Sequence, residues 1–161
     1  MDKVIVTALL VVAGVTAAGV AVATLTPVMT KSSTAVVEKA KDTSDKIGTD
    51  VKIIMVHPDS VKADAIQAFV KNVGSVNIIP ISESNIYIEN ADGSAFYAPP
   101  YNAVAGDNTW QFTPAVPIYL GPGETMTIDI DLPENLIVAN SYVLTYITPN
   151  AITDIFPFGK K

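Results

Sequence analysis

The chain has 161 residues, enough for one domain of ordinary size plus an appendage, or for two small domains. Apolar residues make up 49% and charged residues 16%, the net charge is -6, every basic residue is a lysine, there is no cysteine, and His57 is the sole histidine. This inventory excludes a disulfide framework, a thiolate or multi-histidine metal site and an arginine phosphate clamp. The acidic balance argues against a nucleic-acid backbone as partner, because lysine and arginine must replace its counterions.

The first element is an apolar block. Val4–Thr30 is 27 consecutive residues without a charge. At about 1.5 Å per residue a helix of that length covers roughly 40 Å, more than the ~30 Å hydrocarbon core of a bilayer. No face of it is polar enough for a surface-lying helix. The run is also too long, and its flank Met1-Asp2-Lys3 too weakly basic, for a secretory signal peptide. Ala8, Ala13, Gly14, Ala17, Ala18, Gly19, Ala21 and Ala23 make the block rich in small residues. Such residues let helix backbones approach closely and favour helix packing over lipid solvation alone. Pro27 is expected to kink this helix without ending it. From Lys31 to Ile47 the pattern turns amphipathic: Val36, Val37, Ala40, Ser44 and Ile47 share one stripe, and Glu38, Lys39, Lys41, Asp42 and Asp45 face away. Gly48 serves as the C-terminal cap. One long helix over about residues 3 to 47 is predicted.

After Gly48 the period changes from 3.6 residues to two. Strands are predicted at Lys52 to Val56, stopping at His57-Pro58, at Ala65 to Asn72, and at Val76 to Ile81 after a turn at Val73-Gly74-Ser75. Asn85 to Glu89 follows. Gly121-Pro122-Gly123 introduces Met126 to Leu132, whose apolar residues alternate with Thr127, Asp129 and Asp131. Tyr142 to Thr148 and Ala151 to Phe156 read as the last two strands, while the proline-rich stretch Ala98 to Pro117 is undecided between strand and loop. Seven to nine short strands at spacings of about 10 residues point to an antiparallel immunoglobulin-like sandwich.

Candidate chemistry is sparse. His57 has neither a second histidine nor a cysteine to work with and reads as a loop residue. Asp129 and Asp131, with Asp92 and Asp107 in loops, have the oxygen chemistry for Ca²⁺, but a solvated acidic face is the simpler reading. Trp110, Phe112, Tyr119, Tyr142, Tyr146, Phe156 and Phe158 read as core and subunit-contact aromatics. Gly121-Pro122-Gly123 is not a phosphate loop, since no Lys-Ser/Thr follows and a strand comes next. No Asn-x-Ser/Thr sequon occurs.

Three features together resemble the archaellins, the flagellin subunits of the archaeal motility filament. They are the Val/Ala-rich helix running into a polar helical segment, the strand-and-turn Phe69-Val70-Lys71-Asn72-Val73-Gly74-Ser75, and the stretch Leu120-Gly121-Pro122-Gly123-Glu124-Thr125-Met126-Thr127-Ile128. The chain departs from the pattern in three ways. It shows no short basic leader before Met1-Asp2-Lys3, lacks the Gly and Glu common at the head of the archaellin helix, and lacks the family's usual sequons.

The expected architecture is α+β, with a hydrophobic then amphipathic N-terminal helix over residues 1–48 and a β-sandwich head over 49–161. The resemblance implies a structural subunit of a helical cell-surface motility filament, the archaellum, polymerising through its helix. The filament-core packing residues would be Val4, Ile5, Leu9, Leu10, Val12, Val15, Ala17, Val20, Val22 and Leu25. Its partners would be copies of itself in a homo-oligomeric filament, with the cytoplasmic membrane as host before assembly. No catalytic residue, cofactor, metal, nucleic acid or small-molecule substrate is expected. A membrane-anchored accessory or stator protein of the archaellum, and a type IV adhesion pilin, remain open alternatives.

Overall fold

The computed structural model describes residues 2–104, 106–113, 119–137 and 140–160. Two compact units divide the chain, Met1–Thr43 and Ser44–Lys161.

The first unit lies within a single helix, α1, which runs Asp2–Gly48 and continues through Pro27. Proline supplies no amide, so the carbonyl of Ala23 loses its usual i+4 partner. A threonine is an awkward residue in so apolar a segment, because a bare hydroxyl is costly there. The threonines of α1 solve this locally: Thr7, Thr16, Thr24, Thr26 and Thr30 each donate Oγ1 to the carbonyl four residues back, at 2.8 to 3.0 Å.

The second unit holds eight strands among the described residues: β1 (Val51–Pro58), β2 (Ala65–Asn72), β3 (Asn85–Asn90), β4 (Phe96–Tyr97), β5 (Thr109–Thr113), β6 (Thr125–Asp131), β7 (Ser141–Ile147) and β8 (Thr153–Gly159). They form two four-stranded sheets, in the orders β1-β2-β6-β5 and β4-β3-β7-β8, with every neighbouring pair antiparallel. These orders are the A-B-E-D and C′-C-F-G sheets of the immunoglobulin-like sandwich. Alternation along each strand sends one set of residues inward. Val51, Ile53, Ile66, Val70, Trp110, Met126 and Ile128 of the first sheet meet Ile86, Ile88, Leu144, Tyr146 and Phe158 of the second in one core.

Tyr142, near the start of β7, is buried, and its hydroxyl accepts the Ile137 amide at 2.8 Å. A tyrosine that ties the corner before this strand to backbone a few residues upstream is characteristic of the fold. At the other edge β1 and β8 meet. Asp154 of β8 accepts the Ile53 amide at 2.7 Å and pairs with Lys52 Nζ at 2.9 Å. A side chain thereby occupies part of an edge that would otherwise offer bare backbone to another chain.

The strands at Ala65 to Asn72, Asn85 to Glu89, Met126 to Leu132 and Tyr142 to Thr148 lie where the alternation put them, within a residue at each end. Three differ. The first strand does not stop at His57-Pro58 but includes both, paired with Gln67 and Ile66; as the last residue of an edge strand, Pro58 is tolerated without its amide. Val76 to Ile81 is not a strand: Ile78 exchanges both backbone bonds with Leu120, Pro80 has no amide to continue a ladder, and a 3-10 turn follows at Ile81–Glu83. The last strand starts at Thr153, because Ala151 sits at φ 62° in a turn closed by Ile152 donating its amide to Thr148 Oγ1 at 3.0 Å. The undecided stretch Ala98 to Pro117 contains β5, and its residues Ala105 and 114–117 lie outside the described ones.

Candidate functional site

Two regions hold the residues and motifs singled out in the sequence: the surface of α1 and the turn at its end, Asp45–Asp50.

Val4, Ile5, Leu9, Leu10, Val12, Val15, Ala17, Val20, Val22 and Leu25 all lie on α1, and all are exposed in the single chain. At 100° per residue their directions distribute around the whole circumference, not along one face. A helix hydrophobic all round belongs in a protein interior or a membrane, not in water. By length and composition α1 is sufficient to cross a bilayer. The back-bonded threonines leave no bare hydroxyl donor to interrupt this surface.

The junction is built from the two motifs singled out above, and they lie side by side. Asn72 ends β2 fully buried. Its Nδ2 donates to the carbonyls of Val76 at 2.8 Å and Leu120 at 2.9 Å, and its Oδ1 accepts the Gly74 amide at 2.9 Å. Its backbone is held by the other motif: the Asn72 amide goes to Glu124 O at 3.0 Å, and the Gly123 amide comes to Asn72 O at 2.8 Å. That second motif is a self-closing turn in which Gly121 donates its amide to Glu124 Oε2 at 2.7 Å and Gly123 takes φ 79°, a conformation suited to glycine.

The same loop grips the end of the helix. Ser75 donates its amide to Gly48 O at 2.8 Å, and the Val73 and Gly74 amides converge on Asp50 O, each at 3.1 Å. A Cβ on Gly74 would strike Gly48 O and Asp50 N, backbone atoms with no room to move aside. Thr49 caps the helix by giving both its amide and its hydroxyl to Asp45 O, at 2.9 and 2.6 Å, and its Oγ1 accepts Asn150 Nδ2 at 2.8 Å. Two loops of the sandwich, residues 73–75 and the one that carries Asn150, therefore hold the end of the helix. Thr49 and Asn150 carry no sequence signal that marks them. Asn72 had one, an Asn-x-Gly turn, but its burial comes from the tertiary fold.

The remaining candidates do not assemble into a chemical site. No group of three His, Asp or Glu side chains that could hold a metal occurs among the described residues. Asp129 accepts Gln67 Nε2 at 2.9 Å and Thr113 Oγ1 at 3.0 Å, and Asp131 pairs with Lys62 at 2.9 Å. Asp92 accepts the Ser94 amide at 2.8 Å. His57 lines a shallow surface depression beside Asp59 and Asp131. Asp59 accepts the amides of Lys62 and Val61, and these two bonds hold its carboxyl below the usual range. Of the aromatics, Trp110, Phe112, Tyr142, Tyr146 and Phe158 are buried, Phe156 is half-buried, and Tyr119 is exposed. Burial pushes the Tyr146 hydroxyl up to about 12, against the opposing bond with Ser84 Oγ.

No protein-family model matches the chain, and no curated protein matches it. Solved structures do. The archaeal flagellum of Methanospirillum hungatei strain JF1 matches with a TM-score of 0.64 at 14% identity, covering 96% of this chain and 92% of that one. The archaellum periplasmic stator protein FlaG from Sulfolobus acidocaldarius matches with a TM-score of 0.58 at 24% identity, covering 68% of this chain and 99% of that one. The stator protein complex FlaF and FlaG from the same organism gives 0.57 at 23% identity, over 67% and 87%. These neighbours are structural archaellum proteins, not enzymes. At such identities the likeness speaks for the fold: a long apolar helix followed by a two-sheet sandwich, the archaellin-like fold.

Proposed function

We propose that the chain is an archaellum component and, within the archaellum, a structural subunit of the helical surface filament. The observation that carries this reading is the match to the Methanospirillum filament, which extends over 96% of the chain and so takes in helix and head together. The physics of α1 supports it. Aliphatic side chains such as Leu9, Leu10 and Val15 stand 65 to 68% exposed in the lone chain, and removing each from water is worth roughly 1.5–3 kcal/mol. Lipid satisfies that surface while a subunit waits in the cytoplasmic membrane. Sister helices satisfy it in the filament, where small residues such as Ala17 permit close approach. Heads form the outer wall, and a contact that does not close into a ring generates an open polymer. The chain has no enzymatic role and needs no cofactor, nucleic acid or small molecule.

A second reading has its own observation. The match to FlaG takes in 99% of that chain and 68% of this one, at higher identity, which favours an anchored accessory or stator protein whose helix stays in lipid.

The test is to shear native cell surfaces and image them by negative stain with antibody to the head. Filaments carrying this chain are expected, and Leu9→Asp should abolish them while Trp110 fluorescence reports a folded head. Recovery of the wild-type chain solely as detergent-extracted monomer would overturn the filament reading in favour of the second. Normal filaments from Leu9→Asp would overturn the packing role of the helix.

A further inference from the structure

α1 has more uncharged length than a bilayer needs. Val4–Thr30, 27 residues, measures about 40 Å along the axis, against about 30 Å of hydrocarbon. Two placements accommodate the excess. In one, the whole run lies in lipid and the helix tilts by about 40°. In the other, only Val4–Ala23 lies in lipid; those 20 residues measure about 30 Å, and no tilt is needed.

Two observations separate these placements. Pro27 lies inside α1 and has no amide, so Ala23 O lacks its partner four residues on. The hydroxyls beside it do not take the amide's place. Thr24 Oγ1 donates to Val20 O and Ala21 O at 3.0 and 3.1 Å, and Thr26 Oγ1 donates to Val22 O at 2.8 Å. A carbonyl left bare in hydrocarbon is costly, whereas one at the headgroup level accepts from water. The tilted placement sinks Ala23 O about 8 Å below the hydrocarbon surface; the shorter one sets it at that surface. Composition changes at the same residue. Val4–Ala23 carries two hydroxyl side chains, Thr7 and Thr16, while the next 11 residues carry six: Thr24, Thr26, Thr30, Ser32, Ser33 and Thr34. At the other end Lys3 adjoins Val4, and a lysine stem is long enough to carry its ammonium out to the phosphates.

We infer that the hydrocarbon of a bilayer covers α1 over Val4–Ala23 only, with its boundary at the Ala23 carbonyl, so that Leu25, Val28 and Met29 lie outside it. This rests on the reading, common to the filament and stator proposals, that lipid hosts α1, and adds which turns the lipid covers.

The test uses the full chain purified in detergent and reconstituted at low density into dioleoyl phosphatidylcholine vesicles. Because the chain lacks cysteine, Val12→Cys, Met29→Cys and Val36→Cys each give a unique thiol. N-ethylmaleimide crosses bilayers, so it reaches the chain in either orientation, and it reacts with the thiolate, a form that hydrocarbon suppresses. Val12→Cys should label at least about 100-fold more slowly than Val36→Cys, and Met29→Cys within about threefold of Val36→Cys. Met29→Cys as slow as Val12→Cys would carry the boundary past Thr30 and overturn the inference. Val12→Cys as fast as Val36→Cys would show that lipid does not host α1 at all, a separate failure that overturns both. Pro27→Ala supplies the missing amide. In the thicker bilayer of dierucoyl phosphatidylcholine it should slow labelling of Met29→Cys severalfold, while labelling stays fast with Pro27 in place. No effect of Pro27→Ala there would show that the Ala23 carbonyl does not set the boundary, and would overturn the inference.

Discussion

Replacing Asn72 by alanine tests whether one buried amide holds the junction together. The substitution removes three hydrogen bonds, to Val76 O, to Leu120 O and from the Gly74 amide. Two of those groups keep a second partner, since Leu120 O also accepts Ile78 N and Gly74 N also reaches Asp50 O. The Val76 carbonyl is the group deprived. Three bonds at about 1 kcal/mol each give a loss of about 3 kcal/mol. For a head of about 120 residues that lowers the melting midpoint by roughly 12 °C. The assay is urea unfolding of the full chain in detergent, followed by the fluorescence of buried Trp110, with an unchanged denaturant slope. Asn72→Asp sharpens it, because at neutral pH a carboxylate oxygen would face the two carbonyls with no hydrogen to offer. It should be less stable than the alanine variant at neutral pH and recover as acid protonates it. A loss below about 1 kcal/mol for Asn72→Ala, or an aspartate variant as stable as wild type at neutral pH, would refute the reasoning.

Other predictions concern single contacts. Gly74→Ala should destabilise the head by at least 2 kcal/mol or so in the same unfolding assay, because its Cβ meets backbone at Gly48 and Asp50. Tyr142→Phe leaves the Ile137 amide without its acceptor and should cost about 1 kcal/mol, measured as a shift in midpoint. Asp59 has a depressed carboxyl through its bonds to Lys62 and Val61; its contribution is present above the ordinary carboxylate range and is lost as pH falls, so Asp59→Asn should flatten the acid limb of a stability-pH profile. Tyr146 titrates at about 12, against 10.0 when free. Its stabilisation is therefore full below pH 10 and lost toward pH 12, and Tyr146→Phe should unfold at higher pH than wild type when followed by tyrosinate absorbance.

Much of the architecture was legible in the sequence because burial writes a period onto the chain. The alternation of Met126, Ile128, Ile130 and Leu132 with polar residues located β6, and the uncharged run from Val4 located the helix. Where a residue is kept by tertiary geometry, no period announces it. Pro80 and the reciprocal bonds of Ile78 with Leu120 cancelled a strand that composition alone favoured. β4 is two residues long, too short to show any alternation. The row Tyr87, Thr145 and Ile155 was invisible for a related reason: the three come from distant segments, and strand register alone puts them in line. The two motifs were visible as turns, but that they touch each other through Asn72 was not.

If the rod passes from lipid to neighbouring rods, as the filament reading proposes, the back-bonded threonines of α1 bear on that transfer. With each hydroxyl folded onto its own backbone, the rod presents the same hydrocarbon skin to an acyl chain and to a neighbouring rod. Exchange from one to the other then involves no stripping of polar groups and is close to isoenergetic in solvation. On the filament reading proposed above, shape complementarity between rods would then set the direction of that exchange.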